Sequence, residues 1–125
     1  MHNSVNHRFM ETLEELGKSA NVEASAIVSN EGLLIASNMD PKMHVETFAS
    51  MTALLRNAAQ MTMESIGKGV PDRLIVDIGD GTQLVTVGAG SRALLTACIK
   101  RSDGDMGLDL AELQNCADKI RSILG

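Results

Sequence analysis

The sequence predicts an α+β domain built on a five-stranded antiparallel sheet. Five short strand-like runs fall into a pair and a triplet, and within each group the runs are joined by brief turns carrying glycine. Three stretches of helical periodicity precede, separate and follow the two groups, giving the order α-β-β-α-β-β-β-α. The length of 125 residues suits one domain, and 44% apolar residues supply a core that needs no disulfide or metal.

Residues 1–7 (MHNSVNH) read as a polar, flexible tail, leaving 8–125 as the single domain. From about Val5 to Lys18 the apolar residues Val5, Phe9, Leu13 and Leu16 recur at helical spacing, with Gly17 and Asn21 as stop signals. Ala24–Ser29 and Leu33–Ser37 follow as a hairpin around Asn30-Glu31-Gly32, where a final glycine accepts the left-handed conformation the loop requires. Asp40-Pro41 breaks the chain, and from Val45 to Ile66 no Gly or Pro interrupts a run rich in Ala, Leu and Met. That run is a helix of about six turns. Gly67-Lys68-Gly69-Val70-Pro71 ends it. Leu74–Ile78, Gln83–Val87 and Ala93–Lys100 are the last three strands. The loop 102–107 leads to a closing helix over about Asp109–Leu124, with an apolar stripe of Leu113, Ala117, Ile120 and Leu124 flanked by Leu110 and Cys116.

The middle helix has more apolar surface than one sheet can use. Phe48, Thr52, Leu55, Ala59, Thr62 and Ile66 fall within about 40° of one line on a helical wheel, the stripe expected to face the sheet. Roughly 100° away lies a second line carrying Met51, Leu54, Ala58 and Met61, in the three-four alternation of helix against helix. Both short helices have stripes of their own for the sheet. The second stripe therefore points to a second copy of the chain, although a wholly intramolecular core helix is the alternative. Leu74–Ile78 starts a new group of strands, so it is expected at a sheet edge, where exposed apolar backbone invites pairing. A two-fold dimer through Met51, Leu54, Ala58, Met61, Leu74, Val76 and Ile78 covers both features at once.

Composition and motifs exclude several functions. Sixteen acidic against eleven basic residues leave a charge of −5, which argues against a nucleic-acid binder. Two Phe with no Tyr or Trp leave little for base stacking or aromatic cages. No apolar run approaches the ~20 residues of a membrane span, and the polar N-terminal stretch lacks a signal-peptide core, so a cytoplasmic protein without membrane insertion is expected. Gly79-Asp80-Gly81, Gly88-Ala89-Gly90 and Gly67-Lys68-Gly69 lack the rest of a nucleotide-binding loop and read as turns. Asp103, Asp105, Asp109 and Glu112 superficially suggest a calcium loop. Leu108 and Gln114 stand where its glycine and bidentate glutamate belong, so Asp109 reads instead as a helix cap. His2, His7 and His44 never fall at metal-ligand spacing, and Cys98 and Cys116 read as buried free thiols. No catalytic motif is present, and no cofactor or metal is expected.

Several segments, in this order, resemble the Roadblock family of dynein light chains and prokaryotic regulators of Ras-like GTPases. They are the hairpin Ala24–Ser37, the Ala/Met/Leu helix around Phe48–Ile66, Asp72-Arg73-Leu74-Ile75-Val76, and the strand Ala93–Lys100 with its glycine-containing exit loop. The resemblance runs from Phe9 to Leu124. It implies a Roadblock-like sheet between helical layers, homodimers through the long helix and third strand, and a non-enzymatic role in binding and regulating a small GTPase. No catalytic residue carries over, because the gliding-regulator branch acts by rearranging its partner. Arg56, Gln60 and Glu64, on the middle helix, are the residues offered for GTPase contact. A purely structural adaptor in a larger assembly and a small-molecule sensor are the competing readings.

Overall fold

A computed structural model describes residues 3–19, 21–100 and 106–125. The chain runs α1 (Asn3–Ser19), β1 (Val22–Ser29), β2 (Leu34–Asn38), α2 (Val45–Ser65), β3 (Arg73–Asp77), β4 (Thr82–Gly88), β5 (Ala93–Lys100) and α3 (Met106–Leu124). The five strands form one antiparallel sheet in the order β2-β1-β5-β4-β3. The strand pair and the strand triplet meet where β1 pairs with β5, so the expected fold and element order hold.

Most boundaries differ from the sequence expectation by a residue or two, where helix and strand ends fray. Larger differences have identifiable causes. Helix α1 begins at Asn3, so Asn3–His7 belong to it, and it continues through Gly17, which stops nothing. A Cβ at Gly17 would lie 3.3 Å from the Asn38 amide nitrogen, so the glycine lets the end of β2 approach the helix. Helix α3 starts at Met106, which puts Asp109 a turn inside it rather than at its cap. The buried Asp109 carboxylate instead accepts the Asn21 backbone N–H at 3.4 Å, tying α3 to the start of β1. Asp103 and Asp105 lie outside the described residues, as does His2.

One face of the sheet is covered by α1 and α3 together. Phe9, Leu13 and Leu16 from α1 and Leu113, Ala117 and Ile120 from α3 close over Ile27, Val85, Leu95, Ala97 and Ile99. Leu124, the last residue of the predicted stripe, is exposed. A 2.9 Å ion pair from Lys119 Nζ to Glu15 Oε2 joins the outer sides of the two helices; it lowers the Glu15 pKa and raises that of Lys119.

Helix α2 alone occupies the opposite face, and it packs chiefly on β1 and β2. The predicted hairpin loop is present: Ser29 N–H donates to Leu33 O at 2.8 Å, and Gly32 takes φ +95°. A Cβ there would lie 3.1 Å from the Ser50 Cα, so the glycine serves both the turn and the close seating of α2. The helix ends in a Schellman motif, with Gly67 at φ +78°, Gly67 N–H on Glu64 O and Lys68 N–H on Met63 O.

Leu13 is fully buried in the main core whereas Leu33 is 70% exposed in the hairpin loop. Leu13→Ala should therefore cost about 2–5 kcal/mol in urea unfolding, and Leu33→Ala no more than about 0.5 kcal/mol. Equal costs would mean that the α1/α3 layer does not form the core.

Candidate functional site

The distinctive surface of the molecule is the outward side of α2 with the uncovered sheet face beside it. In α2 the buried residues are Ala49, Thr52 and Ala53. The seat is thus a narrow strip of small residues, turned by roughly 90° from the stripe expected at 100° per residue. Leu55, Thr62 and Ile66, expected on the sheet, are exposed. The correction is physical: small residues admit the close approach at Gly32, and the larger apolar residues are displaced to the other side. There they join the second stripe, whose four residues Met51, Leu54, Ala58 and Met61 are all exposed, Leu54 by 60% and Met61 by 69%. Met51, Leu54, Leu55 and Met61 are four large apolar side chains exposed along one helix and make a contiguous patch, unlike single scattered surface residues.

The sheet face beside α2 is also incompletely covered. Val85 and Val87 enter the α1/α3 core, so alternation places Leu84 and Thr86 on the α2 side. The register sets Leu74 beside Thr86 and Val76 beside Leu84, and Thr96 and Cys98 continue these rows on β5. Thr86 and Thr96 are buried and share a 3.0 Å hydrogen bond, whereas Leu74, Val76, Leu84 and Cys98 remain only half-buried. Strand β3 lies at the sheet edge, as expected. Ile78, predicted inside that strand, falls just past it, with its N–H donating to Thr82 O at 2.8 Å to close the β3–β4 turn. It is exposed all the same.

Arg56, Gln60 and Glu64 stand one turn apart and form a row. The Arg56 guanidinium donates to Gln60 Oε1, and Gln60 Nε2 donates to Glu64 Oε2 at 3.2 Å. Arg56 and Gln60 are half-buried on a flank of α2, not on its exposed apolar side. Arg56 also borders a hollow of about 360 Å³ with Pro71, Arg73 and Arg121. Sequence reasoning did not single out a second, mostly apolar groove of about 370 Å³, between the N-terminal turns of α2 and the sheet. Met39, Met43, Phe48, Ala24 and Cys98 line it, residues distant in sequence with no shared motif to signal them.

Among the described residues no group of three or more His, Cys, Asp or Glu is placed to hold a metal ion. His7 faces Glu11 at 3.6 Å, and His44 precedes α2 without a side-chain cap bond. No helix among the described residues is long and apolar enough to cross a membrane.

Residues 8–99 match the family model of the Roadblock/LC7 domain. The uncharacterized protein MJ0310 of Methanocaldococcus jannaschii is 29% identical over 112 residues, covering 89% of this chain and 95% of that protein. An MglB with a tetrameric arrangement superposes with a TM-score of 0.87 at 18% identity, over 98% of this chain and 92% of its own. Myxococcus xanthus MglB gives 0.84 at 22% identity, over 93% and 94%. Identities this low establish a shared fold.

Both cysteines are free thiols, but only Cys116 is buried; Cys98 is half-buried on the groove wall. Burial pushes the Cys116 thiol up to about 12, while burial and then Glu23 raise that of Cys98. Thiolate is the reactive form, so at pH 8 the native chain should release at most one thiol equivalent to Ellman's reagent, and slowly. Two should titrate in denaturant. Rapid native titration of both would contradict the packing of Cys116 between α1 and α3.

Proposed function

The chain belongs to the Roadblock/LC7 domain family, and on that premise we propose that it is a non-enzymatic, homodimeric interaction module that binds and regulates a Ras-like small GTPase in the cytoplasm. The observation that carries the reading is the outward apolar face of α2. In a two-fold dimer, Met51, Leu54, Ala58 and Met61 meet their counterparts, and Leu55 widens the contact. The half-buried Leu74, Val76 and Leu84 lie on the sheet face that a neighbouring α2 can cover. Ile78 sits at the rim of the same surface.

Dimerisation leaves the polar flank of Arg56, Gln60 and Glu64 for the GTPase. The row is held in place by its own hydrogen bonds, so little side-chain freedom remains to be lost on binding. Regulation then requires differential affinity. A partner that grips the GTP-bound switch conformation more tightly than the GDP-bound one shifts the GTPase toward it, and a partner with equal affinity shifts nothing. The hydrolytic groups remain those of the GTPase.

Two measurements test these steps. Met51→Glu sets two unpaired carboxylates into the α2 seam, so its dimer dissociation constant should rise on the order of a hundredfold or more. Sedimentation equilibrium reads this directly, and a sedimentation behaviour unchanged at micromolar concentration would remove the α2 interface. A Ras-like GTPase from the same cell, loaded in turn with GDP and a non-hydrolysable GTP analogue, should bind more tightly in the second state. Equal affinity would make the chain a scaffold, and no binding to either state would overturn the GTPase reading.

A further inference from the structure

At one end of the sheet several parts of the fold meet around the hollow that Arg56 borders. Arg73 pairs with Val87, so the start of β3 lies beside the β4–β5 turn, and the flank of α2 and the side of α3 close in from the two faces. The hollow has a volume of about 360 Å³, and Arg56, Arg73 and Arg121 all line it. A second hollow of about 510 Å³ adjoins it, sharing Gly90 and Arg121 and adding Arg92. Four of the chain's six arginines thus border the joined pair, and none of its five lysines does. That concentration stands out in a chain of net charge −5.

The backbone that carries these side chains is held in place. Asn30 Nδ2 donates to Ser91 O at 2.8 Å and Asn30 N–H donates to Arg92 O at 3.1 Å, which fixes the β4–β5 turn. Asn57, the residue after Arg56, donates from Nδ2 to Asn30 O at 3.3 Å and ties α2 to the same loop. Gly90 takes φ +86°, and a Cβ there would lie 3.5 Å from Arg121 Cγ, so the turn rests against the stem of that arginine. The guanidiniums themselves are little used. Those of Arg73 and Arg92 have no hydrogen-bond or ion-pair partner among the described residues. Arg56 donates to Gln60 Oε1, and Arg121 has an exposed pair with Asp118 at 3.6 Å, which holds it weakly. Most of the N–H donors therefore remain open to a ligand.

From this convergence we propose that the hollow binds a small polyphosphate anion, two or more linked phosphate groups, held by Arg56, Arg73 and Arg121. The inference goes beyond the GTPase reading and shares only Arg56 with it. Guanidinium is a planar fork that grips an oxyanion by two oxygens at a time, whereas an ammonium offers a point charge, so walls of arginine without lysine suit that geometry. Charge decides the class of oxyanion. Among the described residues Asp72 is the one carboxylate lining the hollow, so three positive groups against one negative leave a surplus of two. A single carboxylate under-uses such a site, and a diphosphate or triphosphate matches it. The walls add Pro71, Gly88 and Gly90 but no aromatic ring, so the phosphates are held without a base to stack.

Titration calorimetry on the full chain tests this with inorganic triphosphate and pyrophosphate as probes. Both should bind saturably at one site per chain, and orthophosphate more weakly. Arg73→Gln and Arg121→Gln should each weaken triphosphate binding about tenfold, and Asp72→Asn should tighten it about threefold. Arg73→Lys keeps the charge and loses the fork, so it should recover only part of the loss. Arg121 lies on α3, away from the apolar side of α2, so its variant reads the hollow and not the dimer. Lys42→Gln removes one positive charge outside the hollow and should bind like wild type. Absence of triphosphate binding overturns the site. A loss in Lys42→Gln equal to that in Arg121→Gln reduces the binding to diffuse attraction and overturns it too. Citrate bound as tightly as triphosphate overturns the phosphate class. O-phosphoserine bound as tightly as pyrophosphate overturns the need for linked phosphates and assigns the hollow to a phosphorylated side chain instead.

Discussion

The molecule is organised by an imbalance between the two faces of its sheet. Two helices cover one face: α1 and α3 together bury Ile27, Val85, Leu95, Ala97 and Ile99. One helix serves the other face, and it reaches chiefly the two strands at one side. A single helix about 10 Å wide cannot span five strands spaced almost 5 Å apart. The shortfall is left over β4 and β3, where Leu74, Val76 and Leu84 remain half-buried.

The seating of α2 makes the imbalance sharper. Contact through Ala49, Thr52 and Ala53 brings the helix backbone close to Gly32, and small residues leave little apolar area committed to the chain's own core. The large side chains of the helix are thereby free for another surface. Such a face is costly to leave in water. A further cost falls near the sheet edge, where the buried Gln83 Oε1 has no hydrogen-bond partner among the described residues.

Much of this was legible in the residues. The interruptions by Gly and Pro separated the elements, and alternation against 3.6-residue periodicity assigned their types. The surplus apolar stripe of Met51, Leu54, Ala58 and Met61 and the edge position of the third strand both emerged from pattern alone. The sheet-facing stripe of α2 did not, because a wheel weights residues by hydrophobicity while close packing selects them by size. Asp109 misled for a related reason. An acid near a helix start suggests a cap, but the helix begins three residues earlier, and its carboxylate serves a contact with Asn21 that is distant in sequence. The groove lined by Met39, Met43, Phe48 and Cys98 had no local signature, since it is assembled from a connecting loop, α2 and β5.

The sequence by itself determined the element order, the class of fold, the absence of a recognisable catalytic or nucleotide-binding motif, and the presence of one more apolar helix stripe than the chain could use. These are local properties, carried by periodicity, turn chemistry and composition within a few neighbouring residues. Only the tertiary structure decided which way α2 turns and which strands it leaves bare. It alone brought Gln83 beside Asp77 with an oxygen unmatched. Those outcomes depend on how close two surfaces can approach and on strand register, and both are settled between residues far apart in the chain.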